Sequence, residues 1–224
     1  MKSVTVVITL LATICGALDQ DNCSANIMRA CSSYKLSGPS ICNSRYGGIE
    51  RIEPEVQAYI NSNIIKSYEY LLMATHFNSH QMNRPGFQKL FQGLSDSSFD
   101  DSIEMIREIS RRGGKANFNV VHDSPASVSS QEMRLEVDEI HSLAMALDTE
   151  KKLSNAVIHV HTRALHSPSD QDPEMANYIE ENVISKHAEN VRKLNGYVNN
   201  LAQLMERDDP NMAVYMFDQY LKNQ

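Results

Sequence analysis

Four long stretches of this chain repeat apolar residues at every third or fourth position, the spacing of an amphipathic α-helix. They run from about residue 53 to 83, 85 to 112, 130 to 164 and 173 to 205, and a shorter helical pattern covers 211 to 221. The first opens with Pro54 in its first turn, and the second ends at Gly113-Gly114, which is typical of a helix C-terminus. Since no stretch shows the alternation of a strand, the sequence predicts an all-α fold.

The lengths of the connections constrain how these helices pack. The first and second helices are joined by a few residues, and the third and fourth by the short segment HSPSDQDP, so each pair is predicted to be antiparallel. The middle connection is about fifteen residues, which can span about 50 Å when extended. A helix of about 28 residues is about 42 Å long, so this connection can cross the whole bundle. The sequence therefore predicts a four-helix bundle with two hairpins, one long crossover and a short fifth C-terminal helix.

The N-terminal residues have a different character from the rest. Residues 1–17 carry Lys2, an apolar run and then small residues, which predicts a secretory signal peptide. Residues 18–48 are rich in Ser, Gly and Asn and have no helical period, so we interpret them as an extension before a domain at 49–224. The formal net charge of −7 argues against nucleic acid or an anionic membrane as a partner.

Three cysteines remain after the predicted signal peptide is removed: Cys23, Cys31 and Cys42. In an oxidising compartment they cannot all pair within one chain. One internal bridge and one bridge to another subunit is the first interpretation, and a buried or capped free thiol is the alternative. Asn22 lies in a glycosylation sequon whose middle residue is Cys23.

Several polar residues interrupt the apolar faces of the predicted helices. One or two occur on each helix: Asn63, Tyr70, Ser98, Asp101, Glu150 and His187. Buried polar groups are costly unless they are paired, and inward carboxylates and imidazoles from several helices suggest a metal site in a bundle core. The alternative is that each is an ordinary core residue with a hydrogen-bond partner.

Five segments together carry a resemblance to a known family: SYEYLLMATHF, RRGGKANF, TEKKL, YIEENVISKHAENVRKL and VYMFDQYL. In this order and spacing they resemble ferritin over residues 50–224. The resemblance implies a ferritin-like four-helix bundle with a diiron-type domain at 49–224. The signal peptide and the cysteine-bearing extension resemble those of secreted insect-type ferritins, whose shells contain two disulfide-linked subunit types.

The resemblance also implies roles for the six inward polar residues. Catalytic ferritin subunits oxidise two irons between carboxylates at the matching positions, and only Tyr70 and Glu150 keep the family's residue types here. Asn63, Ser98, Asp101 and His187 replace the others, so we expect no efficient ferroxidase activity and interpret the chain as light-chain-like. The enzymatic rival is a slow ferroxidase using Asp101, Glu150, Tyr70 and His187, in which Asp101, Glu150 and His187 would form a weaker mononuclear metal site.

Two further groups of residues follow from the resemblance. Asp96, Asp100 and Glu104 recur at every fourth residue and would face the shell cavity, where acidic groups nucleate ferric mineral; an ordinary solvated acidic face is the alternative. His161, Asn177 and Glu180 match the polar channel at the three-fold axes of the shell.

The sequence as a whole predicts a secreted light-chain-like subunit that stores and transports iron. The resemblance implies a 24-subunit shell shared with heavy-chain-type partners, into which Fe2+ enters and in which Fe3+ mineral is held. The predicted location is the secretory pathway, with the protein in a haemolymph-type fluid, in the lumen of the ER and Golgi, or in both. A secreted helical signalling protein is a third hypothesis, disfavoured by the single long connection.

Overall fold

The computed structural model describes residues 44–118, 138–166, 171–207 and 209–224. Five helices account for most of them: α1 at Ile49–Phe77, α2 at Pro85–Arg111, α3 at Glu139–Leu165, α4 at 173–207 and α5 at Pro210–Lys222. Helix α4 joins α-helical segments Pro173–Ile179 and Ser185–Arg207 through a π-helical turn at Glu180–Ile184. The described residues contain no strand, which confirms the all-α prediction.

Contacts between side chains fix the directions of the helices. Along α1 and α3, Glu55 lies near His159 while Lys66 contacts Glu150, so these two helices are antiparallel. Asn63 contacts Ser98 and Ser67 contacts Ser95, so α1 and α2 are also antiparallel. It follows that α2 and α3 point the same way and that the chain must cross the length of the bundle between them. This confirms the predicted fold with one long crossover.

Among the described residues, the interior contains two apolar clusters at different heights along the bundle. One cluster surrounds Phe77, Phe87 and Phe91 and includes the inner face of α5. The other surrounds Ile52, Ile60 and Met105 near the opposite end. Polar side chains from α1, α2, α3 and α4 occupy the level between the clusters, and these include most of the polar residues that the sequence analysis singled out.

A buried ion pair holds the end of the bundle at which α1 begins. The Arg112 guanidinium donates to both carboxylate oxygens of Asp172, at 2.9 and 2.7 Å. It also lies 4.2 Å from the ring centroid of Tyr46 and donates to the Tyr46 carbonyl. Asp172 in turn accepts from the Met175 N–H and so caps the start of α4. One arginine therefore ties the segment before α1 to the adjoining ends of α2 and α4.

Three predicted helix boundaries are wrong. Helix α1 spans Ile49–Phe77 rather than about 53–83, so Pro54 lies inside the helix rather than in its first turn, and residues 78–84 form the connection to α2. Helix α3 begins at Glu139 rather than near residue 130. There Asp138 adopts an extended backbone and its side chain accepts from the Ile140 N–H, an N-cap that defines the helix start.

The predictions for the N-terminal region lie outside the described residues. These are the signal peptide at 1–17, the glycosylation of Asn22, most of the extension at 18–48 and the pairing of Cys23, Cys31 and Cys42. Within the described ranges, none of the helices combines the length and the apolar character needed to cross a membrane.

Candidate functional site

A closed polar network lies at the centre of the bundle, around the carboxylate of Glu150. Lys66 Nζ donates to Glu150 Oε1 at 2.8 Å, and His187 Nδ1 lies 2.7 Å from Oε2. The Tyr70 hydroxyl donates to Oε1 at 3.2 Å, and the Tyr59 hydroxyl lies 2.7 Å from His187 Nε2. Glu150 is fully buried and Lys66 is 3% exposed, so water does not screen this pair.

The network keeps Glu150 ionised in spite of its burial. Burial alone raises the pKa of this carboxyl, but the hydrogen bond from His187 and the charge of Lys66 outweigh it and lower the pKa to about 2, from an ordinary value of 4.5. The same burial and the negative charge of Glu150 raise the pKa of the Tyr70 hydroxyl well above 10. The charges of Lys66 and Glu150 therefore cancel within a site whose phenols stay protonated.

Neutral polar groups fill the side of this level that faces α2. Asn63 Nδ2 donates to the Ser98 carbonyl at 2.9 Å and to Ser102 Oγ at 3.1 Å, and Ser98 Oγ donates to the Leu94 carbonyl. Asn63 Oδ1 is left buried without a hydrogen-bond partner among the described residues. These amide and hydroxyl groups carry no negative charge, which makes them weak ligands for a hard cation such as iron.

Asp101 does not join the network. It lies at the edge of the bundle, where its carboxylate pairs with Lys186 at 2.6 Å and is 26% exposed, while Ser102 takes the buried position beside Asn63. The structure therefore brings together Glu150 and His187 of the predicted metal set and leaves Asp101 outside it. Within the described ranges, no group of three or more His, Cys, Asp or Glu is arranged to hold a metal ion.

The residues present do not fit an iron pair in the bundle core. The Lys66 ammonium takes up Glu150 Oε1, where a cation would otherwise bind, and the groups facing it from α2 are serines. An Fe2+ ion could bind Glu150 only by displacing the Lys66 ammonium from a buried site. The positive charge of that ammonium would repel the approaching ion. Sequence analysis missed Lys66, although it lies three residues from Asn63 and four from Tyr70, on the same helical arc.

The acidic residues of α2 lie on a different face of that helix. Asp96, Asp100 and Glu104 are all exposed. Asp96 accepts from Gln92 Nε2 at 2.8 Å, and Glu104 lies 3.6 Å from Lys186 Nζ. Asp96 and Asp100 also line an open groove of about 530 Å³ between α1 and α2, together with Ser67 and Ser95.

The predicted channel residues lie close together at the end of the bundle where α3 finishes and α4 begins. His161 Nε2 is 3.6 Å from Glu180 Oε2, and Glu180 is the first residue of the π-helical turn in α4. Asn177 and Glu180 are exposed, one turn apart, and His161 is mostly buried. Neighbouring His159 lies 3.9 Å from Glu55 on the α1 side and points away from this group.

Comparisons with known proteins agree with this architecture. The family model for the ferritin-like domain matches residues 55–204. A ferritin light chain of Drosophila melanogaster is 56% identical over 215 residues, covering 96% of this chain and 95% of that protein. A ferritin light chain of Trichoplusia ni is 35% identical, covering 99% of both. The crystal structure of Trichoplusia ni secreted ferritin superposes with a TM-score of 0.79 at 34% identity, covering 91% of this chain and 99% of that one. This chain therefore belongs to the ferritin family.

Proposed function

We propose that this chain is a light-chain-like subunit of a secreted ferritin, which stores iron by building the shell and nucleating the mineral rather than by oxidising iron itself. The observation that carries the proposal is the Lys66–Glu150 ion pair at the centre of the bundle. A catalytic subunit needs a free carboxylate at this position to bind a cation. Here the Lys66 ammonium is already paired with the Glu150 carboxylate. The names and identity of the insect relatives support the same assignment.

The exposed acids of α2 are the proposed nucleation surface. Fe3+ is a hard cation that prefers carboxylate oxygens, and Asp96 and Asp100 present theirs one turn apart without a basic partner among the described ion pairs. Glu104 is partly neutralised by Lys186, so we assign it a smaller share. His161, Asn177 and Glu180 are the proposed entry channel for Fe2+.

The remaining parts of the proposal concern assembly and export. The chain would share a 24-subunit shell with heavy-chain-type partners, linked through one of Cys23, Cys31 and Cys42, and would reach the secretory pathway through residues 1–17. The Trichoplusia ni protein whose crystal structure superposes on this chain is described as a secreted ferritin, which supports export. Size-exclusion chromatography of the purified protein tests assembly, and a species near the monomer mass would contradict the shell.

Stopped-flow absorbance after mixing Fe2+ and oxygen with a homopolymer of this chain tests the absence of ferroxidase activity. We expect slow oxidation without a saturable phase at two irons per chain. A fast saturable phase that disappears in Glu150→Ala would overturn the proposal in favour of an enzyme.

A second measurement tests the nucleation surface. The double variant Asp96→Asn/Asp100→Asn should lengthen the lag before ferric mineral forms, because it removes two adjacent Fe3+ ligands. The matched control is Asp148→Asn/Glu206→Gln, which removes the same charge from exposed positions on α3 and α4. Equal lags in the two variants would show that only net charge matters.

A further inference from the structure

Two buried tyrosines of α1 approach Glu150 in different ways. The Tyr70 hydroxyl contacts the carboxylate directly at 3.2 Å and shares its proton with the Ala146 carbonyl at 3.3 Å. The Tyr59 hydroxyl reaches the same carboxylate only through His187, by two contacts of 2.7 Å. Tyr59, His187 and Glu150 therefore form a short continuous relay from α1 through α4 to α3.

The hydrogen bonds define where the protons of this relay lie. Ionised Glu150 can only accept, so His187 Nδ1 must carry a hydrogen and donate it. If Nε2 also carried one, the proton of the Tyr59 hydroxyl would face no acceptor among its described contacts. The arrangement that satisfies every group has Tyr59 donating to the lone pair of Nε2. It also keeps the network neutral, with Lys66 balancing Glu150.

We propose that Tyr59 is a redox-active tyrosine whose phenolic proton moves to His187 when the ring loses an electron. The electron goes to a one-electron oxidant, the O–H bond of Tyr59 breaks, and an N–H bond forms at Nε2. The products are a neutral tyrosyl radical and an imidazolium whose charge is held by the Glu150 carboxylate. Re-reduction by an electron donor returns the proton along the same hydrogen bond.

The oxidant in the cell depends on the proposed storage function. Ferrous cargo that meets hydrogen peroxide yields ferric iron, hydroxide and a hydroxyl radical. A hydroxyl radical that takes the electron from the chain becomes hydroxide, so the atoms and electrons balance. In this role Tyr59 would hold an oxidising equivalent inside the bundle until a donor removes it.

The surroundings favour Tyr59 over Tyr70 for this chemistry. Imidazole is a competent base near neutral pH, whereas a carboxylate with a pKa of about 2 is a poor one. Lys66 Nζ also lies 5.9 Å from the Tyr70 ring centroid, where its positive charge opposes removal of an electron. Burial raises the pKa of the Tyr59 hydroxyl well above 10, so the phenol keeps its proton until the ring loses an electron. His187 Nε2, 2.7 Å away, is then the base that receives the proton. Tyr59 is 6% exposed beside Ile60, which protects a radical from solvent and from coupling to another chain.

The test uses iron-free assembled protein, so that its result is independent of the storage function. Photolysis with tris(bipyridine)ruthenium(II) and persulfate supplies the oxidant, and electron paramagnetic resonance detects the radical. We expect a long-lived tyrosyl signal that is absent in Tyr59→Phe and kept in the matched control Tyr70→Phe. His187→Gln keeps a hydrogen-bonding side chain without the base, and should reduce the lifetime of the radical at least tenfold.

Three outcomes would overturn the proposal. The first is an unchanged long-lived signal in Tyr59→Phe, and the second is a signal lost only in Tyr70→Phe. The third is an equal lifetime in His187→Gln. If Tyr59→Phe does not assemble, electron–nuclear double resonance of the wild-type radical decides in its place. One strongly coupled proton that exchanges in D2O is expected, and a radical without it would be incompatible with a hydrogen bond from His187.

Discussion

Two buried ion pairs in the described part of the bundle, Arg112–Asp172 and Lys66–Glu150, differ in what surrounds them. Arg112 and Asp172 join parts of the chain at the end of the bundle, and their other partners are the Tyr46 carbonyl, the Glu174 carboxylate and the Met175 N–H at the start of α4. Lys66 and Glu150 join two long helices at mid-height, where apolar clusters above and below already hold those helices. The first pair therefore connects segments from three parts of the chain, while the second lies between two helices that apolar contacts also hold together.

Breaking the pair at the end of the bundle should have the largest effect on stability. Arg112→Met leaves Asp172 buried without its partner and removes the contact with Tyr46. Since isolating one member of a buried pair costs about 3–5 kcal/mol, we expect a loss of about 5 kcal/mol in the free energy of unfolding. Urea unfolding followed by circular dichroism measures it. The control Arg107→Met, at an exposed position within α2, should change stability by less than about 0.5 kcal/mol.

Breaking the central pair should cost somewhat less. Lys66→Met isolates Glu150 from its ammonium, but His187 Nδ1 remains 2.7 Å from Glu150 Oε2 and keeps its hydrogen bond to the carboxylate. We expect a loss of about 3–4 kcal/mol. Lys66→Met/Glu150→Gln should recover most of it, because removing both charges also removes their desolvation cost. If the double variant is no more stable than Lys66→Met, then the central pair is as structurally necessary as the pair at Arg112.

The central network also predicts how stability depends on pH. The pKa of Glu150 is lower in the folded chain, about 2, than its ordinary value of 4.5, so its contribution is fully present above pH 4.5 and is lost as pH falls through 2. At 1.36 kcal/mol per pKa unit, the contribution is on the order of 3 kcal/mol. Urea unfolding between pH 5 and 2 should therefore show a shallower decline for Glu150→Gln than for the wild type. Parallel declines would mean that Glu150 is protonated together with the other carboxyls.

The fold was largely predictable from the sequence, and the site only in part. Apolar spacing and the lengths of the connections were enough to predict the helices and the crossover, because both depend on local geometry. Positions near the boundary of a buried face are harder: Asp101 and Ser102 are three and four residues from Ser98, and both could have faced the core. In the structure Ser102 takes the buried position, while Asp101 pairs with Lys186 of α4 at the edge of the bundle. Lys66 was on the correct arc, but a lysine there becomes plausible only once Glu150 is known to face it.

The smallest expected effect comes from the ion pair between Lys186 and Asp101, which is solvated, unlike the two buried pairs. Lys186→Gln removes the 2.6 Å contact with Asp101 and the 3.6 Å contact with Glu104, which join α4 to α2. Lys186 is 47% exposed, so water can solvate Asp101 and Glu104 once the ammonium is removed. Ion pairs between exposed side chains contribute about 0–1 kcal/mol. We expect urea unfolding to show a loss below about 1 kcal/mol, and this difference should shrink in 1 M salt because ions screen solvated charges. A loss as large as that of Lys66→Met would mean that Asp101 is held in the interior by Lys186, and that the edge of the bundle is drier than its exposure indicates.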